Sequence, residues 1–71
     1  MAEQVNAPMV GKILNVVVRV GDRVNEDDTI AVMEAMKMEI EVVAPASGTV
    51  AAINVAAGDQ VDPDTVIAVI E

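Results

Sequence analysis

The chain lacks three residue types on which much protein chemistry depends. Among its 71 residues there is no cysteine, no histidine and no aromatic side chain. Without cysteine there can be no disulfide, no thiolate zinc site and no cysteine nucleophile. Without histidine the commonest general base and metal ligand is also missing. The acidic residues have no recognisable catalytic spacing. We therefore predict no catalytic residues and no metal site, and a free-standing hydrolase or metal enzyme is a poor interpretation.

Basic residues are scarce as well. Four lysines and arginines face twelve acidic residues, which gives a formal net charge of −8. Such a surface repels phosphate backbones and anionic lipids, so we expect neither nucleic-acid binding nor direct membrane insertion. No apolar run approaches the roughly 18 residues of a spanning helix. The opening "MAEQVN" does not resemble a signal peptide. We expect a cytoplasmic chain.

What the sequence does contain is aliphatic. Hydrophobic residues make up 54% of it, and the abundant valine and isoleucine favour strands because they are branched at Cβ. A chain of this length has room for one small domain, so we assign residues 1–71 to a single domain.

The sequence contains an internal repeat. Moving residues 7–34 along by 37 positions places them on residues 44–71 without a gap. The matches include Ala7-Pro8 with Ala44-Pro45, Gly11 with Gly48, Gly21-Asp22 with Gly58-Asp59, and Ile30-Ala31-Val32 with Ile67-Ala68-Val69. Two units are too few for a solenoid, so we interpret them as interlocking halves related by a pseudo-twofold axis. Each Gly-Asp pair reads as a hairpin-like turn.

The strand patterns are not clean alternations. Ile13, Val16 and Val18 cannot share one face without a β-bulge, and the run of three valines at 16–18 suggests burial on both faces. We predict an all-β sandwich or flattened barrel of about eight short strands.

A connector, "AMKMEIEVV" at residues 35–43, lies between the repeats and contains Lys37. The chain must reverse within residues 35–37, yet no Gly, Pro, Asn or Asp is present there. From Met38 onward apolar residues alternate with Glu39 and Glu41. Core packing is the default for Met36 and Met38 taken alone, and a solvated charge is the default for a lysine. A turn that breaks a local rule, however, is where function is expected. We predict Lys37 at the tip of an exposed hairpin.

The stretch "EAMKM" at residues 34–38 resembles the attachment signature, Ala or Ser followed by Met-Lys-Met, of the biotinyl domain of biotin carboxyl carrier proteins. "APMVGKI", "APASGTV" and two copies of "VxxGDxV" extend the resemblance over essentially the whole chain. It implies a flattened barrel-sandwich of two four-stranded antiparallel sheets. It also implies covalent biotin on Lys37, with Met36 and Met38 recognised by a biotin–protein ligase and Ala35 and Glu34 completing the motif. The gapless repeat leaves no room for the "thumb" insertion of some members.

The same resemblance implies a carrier and not an enzyme. Carboxybiotin on Lys37 would shuttle between biotin carboxylase and carboxyltransferase or decarboxylase sites, on partner subunits or domains. Two alternatives stay open. A lipoyl-type carrier would have the same fold and the same lysine, although Asp and Ala are its typical flanking residues. A protein-interaction module would use the methionine tip as a docking knob.

Overall fold

The computed structural model describes residues 2–71, which form eight β-strands in two sheets. The strands are β1 (Glu3–Asn6), β2 (Gly11–Val16), β3 (Arg23–Val24), β4 (Thr29–Ala35), β5 (Met38–Val43), β6 (Gly48–Ile53), β7 (Gln60–Val61) and β8 (Val66–Ile70). Their order is β1-β8-β6-β3 in one sheet and β5-β4-β2-β7 in the other. All neighbouring strands are antiparallel. The predicted all-β architecture of two four-stranded sheets is confirmed. Within residues 2–71, no helix is long and apolar enough to cross a membrane.

The two sheets follow the 37-residue shift of the sequence. The shift carries β2 onto β6, β3 onto β7 and β4 onto β8, and it carries Glu3–Asn6 of β1 onto residues 40–43 of β5. Each sheet therefore contains strands from both halves. The sequence repeat does not include the correspondence of β1 with β5. Among its four pairs of residues only Val5 and Val42 are identical, and each is 3% exposed. The correspondence is thus wider in the structure than in the sequence, and the segment without a counterpart shrinks to the hairpin around Lys37.

The Gly-Asp turns join the two halves by hydrogen bonds. Asp22 N–H donates to the Arg19 carbonyl at 3.0 Å, and Gly21 has a φ of 98°. Gly21 N–H then donates to the Val50 carbonyl, and Val50 N–H to the Asp22 carbonyl, both at 2.8 Å. The turn at Gly58 makes the same pair of bonds to β2. The turn prediction holds, but the hairpin interpretation is wrong, because β2 and β3 lie in different sheets.

The core lies between the sheets and is aliphatic. Its largest fully buried side chains are Ile13, Ile30, Met33, Val50, Ile67 and Ile70. No polar or charged side chain is buried in the part of the chain that the structure describes. Without aromatic residues, the core depends on many medium-sized side chains. Full burial of one such side chain contributes about 1.5–3 kcal/mol to the free energy of unfolding.

The predicted bulge in β2 is present. The register between β2 and β4 shifts between Ile13 and Asn15, and the equivalent shift occurs between Val50 and Ala52 in β6. The prediction of burial on both faces is wrong, since Val17 is 48% exposed. The physical reason is that each sheet is covered on one face only, so outward-facing residues of β2 and of the segment directly after it, which includes Val17, meet solvent.

The hairpin between β4 and β5 and the paired chain ends lie near opposite ends of β2. Gly11, at the start of β2, packs against the hairpin. The six residues of β2 span about 20 Å and lead to the turn Arg19–Asp22, which bonds to Val50. Val50 pairs with Ile70, which also pairs with Glu3. The Cα positions extend over 32 × 18 × 17 Å, so the domain is elongated.

Candidate functional site: a lysine hairpin

Strands β4 and β5 are joined by a two-residue loop. Ala35 pairs with Met38, which leaves only Met36 and Lys37 to reverse the chain. Their φ angles are 53° and 63°, so both occupy the left-handed region. A two-residue loop of this kind selects Asn-Gly or Asp-Gly, because positive φ strains other residues. The strain is of the order of 1–3 kcal/mol per non-glycine residue. The predicted reversal at residues 35–37 is therefore present, and it is held in a conformation that its own residues disfavour.

The side chains at the tip point into water. Met36 is 82% exposed and Met38 is 66% exposed, and Lys37 is exposed between them. Methionine is ordinarily a core residue, and Met33, three positions before Met36, is 0% exposed. The default of core packing does not apply to the two flanking methionines, which agrees with the predicted exposed hairpin. Neither contributes to the buried core, so packing does not explain their presence at the tip.

The base of the hairpin is anchored in the core. Ala35 is 4% exposed, and the predicted alternation along β5 brings Val42 to 3% exposure. Ile40, between Val42 and the tip, is half-buried. The hairpin is thus a continuation of a packed sheet, and only its last residues leave the body. Ala35 is present at the site as a buried support, because its side chain faces the core.

Sequence reasoning missed the importance of Gly11 to this site. A Cβ on Gly11 would collide with the Glu34 carbonyl oxygen, and it would lie 2.6 Å from Met33 Cε and 3.2 Å from Ala35 Cβ. The start of β2 therefore presses directly on the base of the hairpin. The repeat could have indicated the close approach at Gly11, since glycine also occupies the equivalent position 48. A Cβ on Gly48 would lie 2.5 Å from the Glu71 carbonyl oxygen.

A row of charged residues crosses the sheet just below the tip. Lys12 on β2 lies opposite Glu34 on β4, and Glu34 lies opposite Glu39 on β5. All three residues are exposed. Side chains directly opposite each other on antiparallel strands have Cβ atoms about 4.5–5.5 Å apart. One cation and two carboxylates therefore follow each other across the strands that carry Lys37, which gives the base of the hairpin a net negative charge.

The arrangement is a convex tip and not a cleft. The surface of residues 2–71 has no pocket, and no group of three acidic residues in that range could hold a metal ion. The five residues singled out in the sequence, Glu34, Ala35, Met36, Lys37 and Met38, all lie in this one hairpin. An exposed primary amine on a rigid projection can be acylated by another protein, and an amide-linked group would reach beyond the domain.

Comparison with known proteins identifies the family. A family model described as "Biotin-requiring enzyme" matches residues 3–70. The chain belongs to this biotin/lipoyl family. The match includes both halves of the biotinyl domain and the hairpin between them. The residues at the tip fit a covalent biotin, because the attachment needs one accessible amine and the hairpin presents Lys37 in the open.

Three individual proteins are similar to this chain in sequence or in structure. The biotinyl domain is 51% identical over 43 residues to a biotinylated protein TB7.3 homolog of Mycolicibacterium smegmatis, covering 61% of each chain. It matches the crystal structure of Kluyveromyces lactis urea carboxylase with a TM-score of 0.93 and 37% identity, over all of this chain and 6% of that one. It also matches the lipoyl domain of the Azotobacter vinelandii 2-oxoglutarate dehydrogenase complex, with a TM-score of 0.78 and 26% identity, over 96% of this chain and 94% of that one. The chain spans less than two thirds of the length of the curated relatives that it matches.

Proposed function

We propose that Lys37 is the site of biotin attachment and that the domain is a biotin carboxyl carrier. The observation that carries the proposal is the loop of Met36 and Lys37, both at positive φ, which holds one exposed amine at the end of a pair of strands. The family match and the similarity to a biotinylated protein support the choice of biotin.

Position distinguishes Lys37 from Lys12, the only other lysine. Lys12 lies within β2, paired with Glu34 on one side and Gln60 on the other. An approaching active site would have to accommodate the flat sheet face around it. Lys37 lies in a loop with no neighbouring strand, so a ligase cleft can enclose it. Lysine amines are protonated in neutral water, so the ligase must provide both the activated acyl group and a group that removes the proton.

The residues around Lys37 provide the features by which a ligase would recognise this hairpin. Met36 and Met38 offer two apolar thioether side chains that make no contribution to the core. Glu34 adds a carboxylate at the base. Two apolar side chains beside a negative charge are complementary to an apolar cleft with a basic rim. We infer that the methionines bind in the ligase cleft and that Glu34 orients the hairpin.

As a carrier, the domain would contribute position and not chemistry. Bound biotin supplies a ureido nitrogen that can carry a carboxyl group, and the reacting groups belong to the partner sites. The hairpin presents Lys37 in the open, and joining biotin to a carrier that is linked to its partners would raise the local concentration of biotin at a partner site to about the millimolar range for a short linker. The proposed partners are a biotin–protein ligase, a biotin carboxylase and a carboxyltransferase or decarboxylase.

A lipoyl-type carrier is the second candidate, because a solved lipoyl domain has a similar fold over nearly its whole length. The fold and the lysine hairpin therefore do not separate the two cofactors. The two exposed methionines favour biotin, since in this family they resemble the biotin signature, whereas the lipoyl signature has Asp and Ala at those positions.

Intact mass spectrometry tests the attachment. After co-expression with a biotin–protein ligase and free biotin, the wild-type chain and a Lys12→Arg variant should each gain about 226 Da, the mass of biotin less water, whereas a lipoyl group would add about 188 Da. The Lys37→Arg variant should gain nothing. A biotin adduct on Lys37→Arg, or a gain of lipoyl mass by the wild type in cells that offer both cofactors, would contradict the proposal.

A second assay tests the carrier role separately. The biotinylated domain should stimulate bicarbonate-dependent ATP hydrolysis by a biotin carboxylase more strongly than the same concentration of free biotin. Unmodified domain and Lys37→Arg should have no effect. If biotinylated domain and free biotin were equivalent, Lys37 would be a labelling site without the carrier function.

A further inference from the structure

We propose that Met36 and Met38 are oxidation sites, and that their conversion to methionine sulfoxide by a hydroperoxide stops recognition of the hairpin while leaving the fold intact. The part of this proposal that concerns recognition depends on the proposed biotinylation of Lys37.

The methionines of the described chain divide into two exposure classes. Met36 and Met38 are 82% and 66% exposed, whereas Met33 is 0% exposed and Met9 is partly buried against the core. Oxidation requires the oxidant to approach the sulfur atom. Both freely accessible thioethers therefore lie directly beside Lys37, and the other two serve as internal references within the same molecule.

Exposure also determines what the oxidation does. A sulfoxide in the core would disrupt packing, because it places a polar, chiral group among aliphatic side chains. At the tip it does not, since neither flanking side chain packs against the core. The loop is held by the pairing of Ala35 with Met38 through backbone atoms and by the burial of Ala35. Oxidation therefore changes the chemistry of the tip without changing the scaffold.

The reaction balances with the peroxide as its only co-reactant. With hydrogen peroxide, a sulfur lone pair attacks one oxygen, the O–O bond breaks, an S–O bond forms, and the proton on the transferred oxygen passes to the departing hydroxide, which leaves as water. Sulfur is oxidised by two electrons and the peroxide is reduced to water. The product is a strong hydrogen-bond acceptor on each side of Lys37, where the proposed apolar ligase cleft accepts only an apolar side chain. A methionine sulfoxide reductase reverses the change.

Peptide mass mapping tests the site without reference to function. The unmodified domain is treated with hydrogen peroxide, the peroxide is removed, and oxidation is followed at each methionine. We expect Met36 and Met38 to react at least tenfold faster than Met33, with the far-ultraviolet circular dichroism unchanged. Equal rates at Met33, or loss of the β spectrum when only the tip is oxidised, would overturn the proposal.

Ligase kinetics test the consequence. The biotinylation rate of the treated protein should fall at least tenfold relative to the untreated protein and recover after treatment with methionine sulfoxide reductases. In the double variant Met36→Leu with Met38→Leu, the ratio of treated to untreated rates should stay near one, because leucine keeps an apolar side chain that peroxide does not attack. The matched variant Met9→Leu should remain as sensitive as the wild type.

The outcomes separate the two proposals. An untreated protein that is not biotinylated overturns the proposed function, and the inference about recognition with it. An untreated protein that is biotinylated, and keeps its rate when both tip methionines are oxidised, overturns the oxidation proposal alone. A double variant that loses as much rate as the wild type on treatment also overturns it, since the damage then lies elsewhere.

Discussion

Glu34 on β4 and Glu39 on β5 lie directly opposite each other, in the pair of residues next to the one that closes the hairpin. Two carboxylates in this relation repel each other. Lys12 on β2, directly opposite Glu34 on its other side, provides the positive charge in this row. The equivalent positions in the other half of the domain have no such pair. The shift by 37 positions carries Glu34 onto Glu71, but it relates Glu39 to Ala2. The second carboxylate is therefore specific to the lysine hairpin.

We predict that Glu39→Gln stabilises the domain by about 0.2–1 kcal/mol, because it removes a like-charge cross-strand pair. Urea unfolding at low salt measures the change, and added salt should reduce it. Glu3→Gln is the matched control, since it removes the same net charge from a strand position opposite Ile70. An equal gain in both variants would mean that only total charge matters.

Replacing the loop by the residues that its conformation prefers should also stabilise the domain. The double variant Met36→Asn with Lys37→Gly should raise the free energy of unfolding by about 1–2 kcal/mol, because Asn and Gly tolerate the φ angles of 53° and 63°. The double variant to alanine at both positions controls for the loss of side chains. No gain over the alanine variant would contradict the inferred strain, and a gain would show that the native tip sacrifices stability for its side chains.

The Gly58 turn offers a test of the bonds between the halves. Gly58→Ala should cost about 1–2 kcal/mol, because the φ of 97° is unfavourable for a residue with a Cβ even though the space around it is open. Ala57→Val, in the same turn, should cost little, since Val20 occupies the equivalent position of the other half. Thermal or urea unfolding of the two variants gives the comparison, and similar losses would argue against a conformational cause.

Gly11→Ala should affect both stability and biotinylation. The new methyl group meets the Glu34 carbonyl oxygen and Met33, so β2 and the hairpin base must separate, at a cost of about 1–3 kcal/mol. Because that shift moves the strand leading to Lys37, the ligase rate should fall under conditions where the variant is fully folded. Gly58→Ala serves as the control for lost stability alone. A normal rate for Gly11→Ala would show that the hairpin is independent of β2.

Much of the fold and of the site could be predicted because the relevant signals are local or repeated. Valine and isoleucine content indicated strands, the repeat indicated two equivalent halves, and the bulge at Leu14 was indicated by the spacing of Ile13 and Val16. The exposed hairpin around Lys37 was indicated by its absence from the repeat. Burial of Val17 was predicted wrongly, because a run of apolar residues does not reveal how many faces of a sheet are covered.

The sequence by itself determined that the chain is all-β, that its halves are equivalent, and that one unmatched segment contains Lys37 between two methionines. Only the tertiary structure decided which strands are neighbours, that the Gly-Asp turns connect different sheets, and that Met36 and Lys37 adopt positive φ. The physical reason is that side-chain alternation reports which face of a strand is apolar, whereas the choice of neighbouring strands arises from backbone hydrogen bonds between distant residues, and the loop conformation follows from the pairing of Ala35 with Met38.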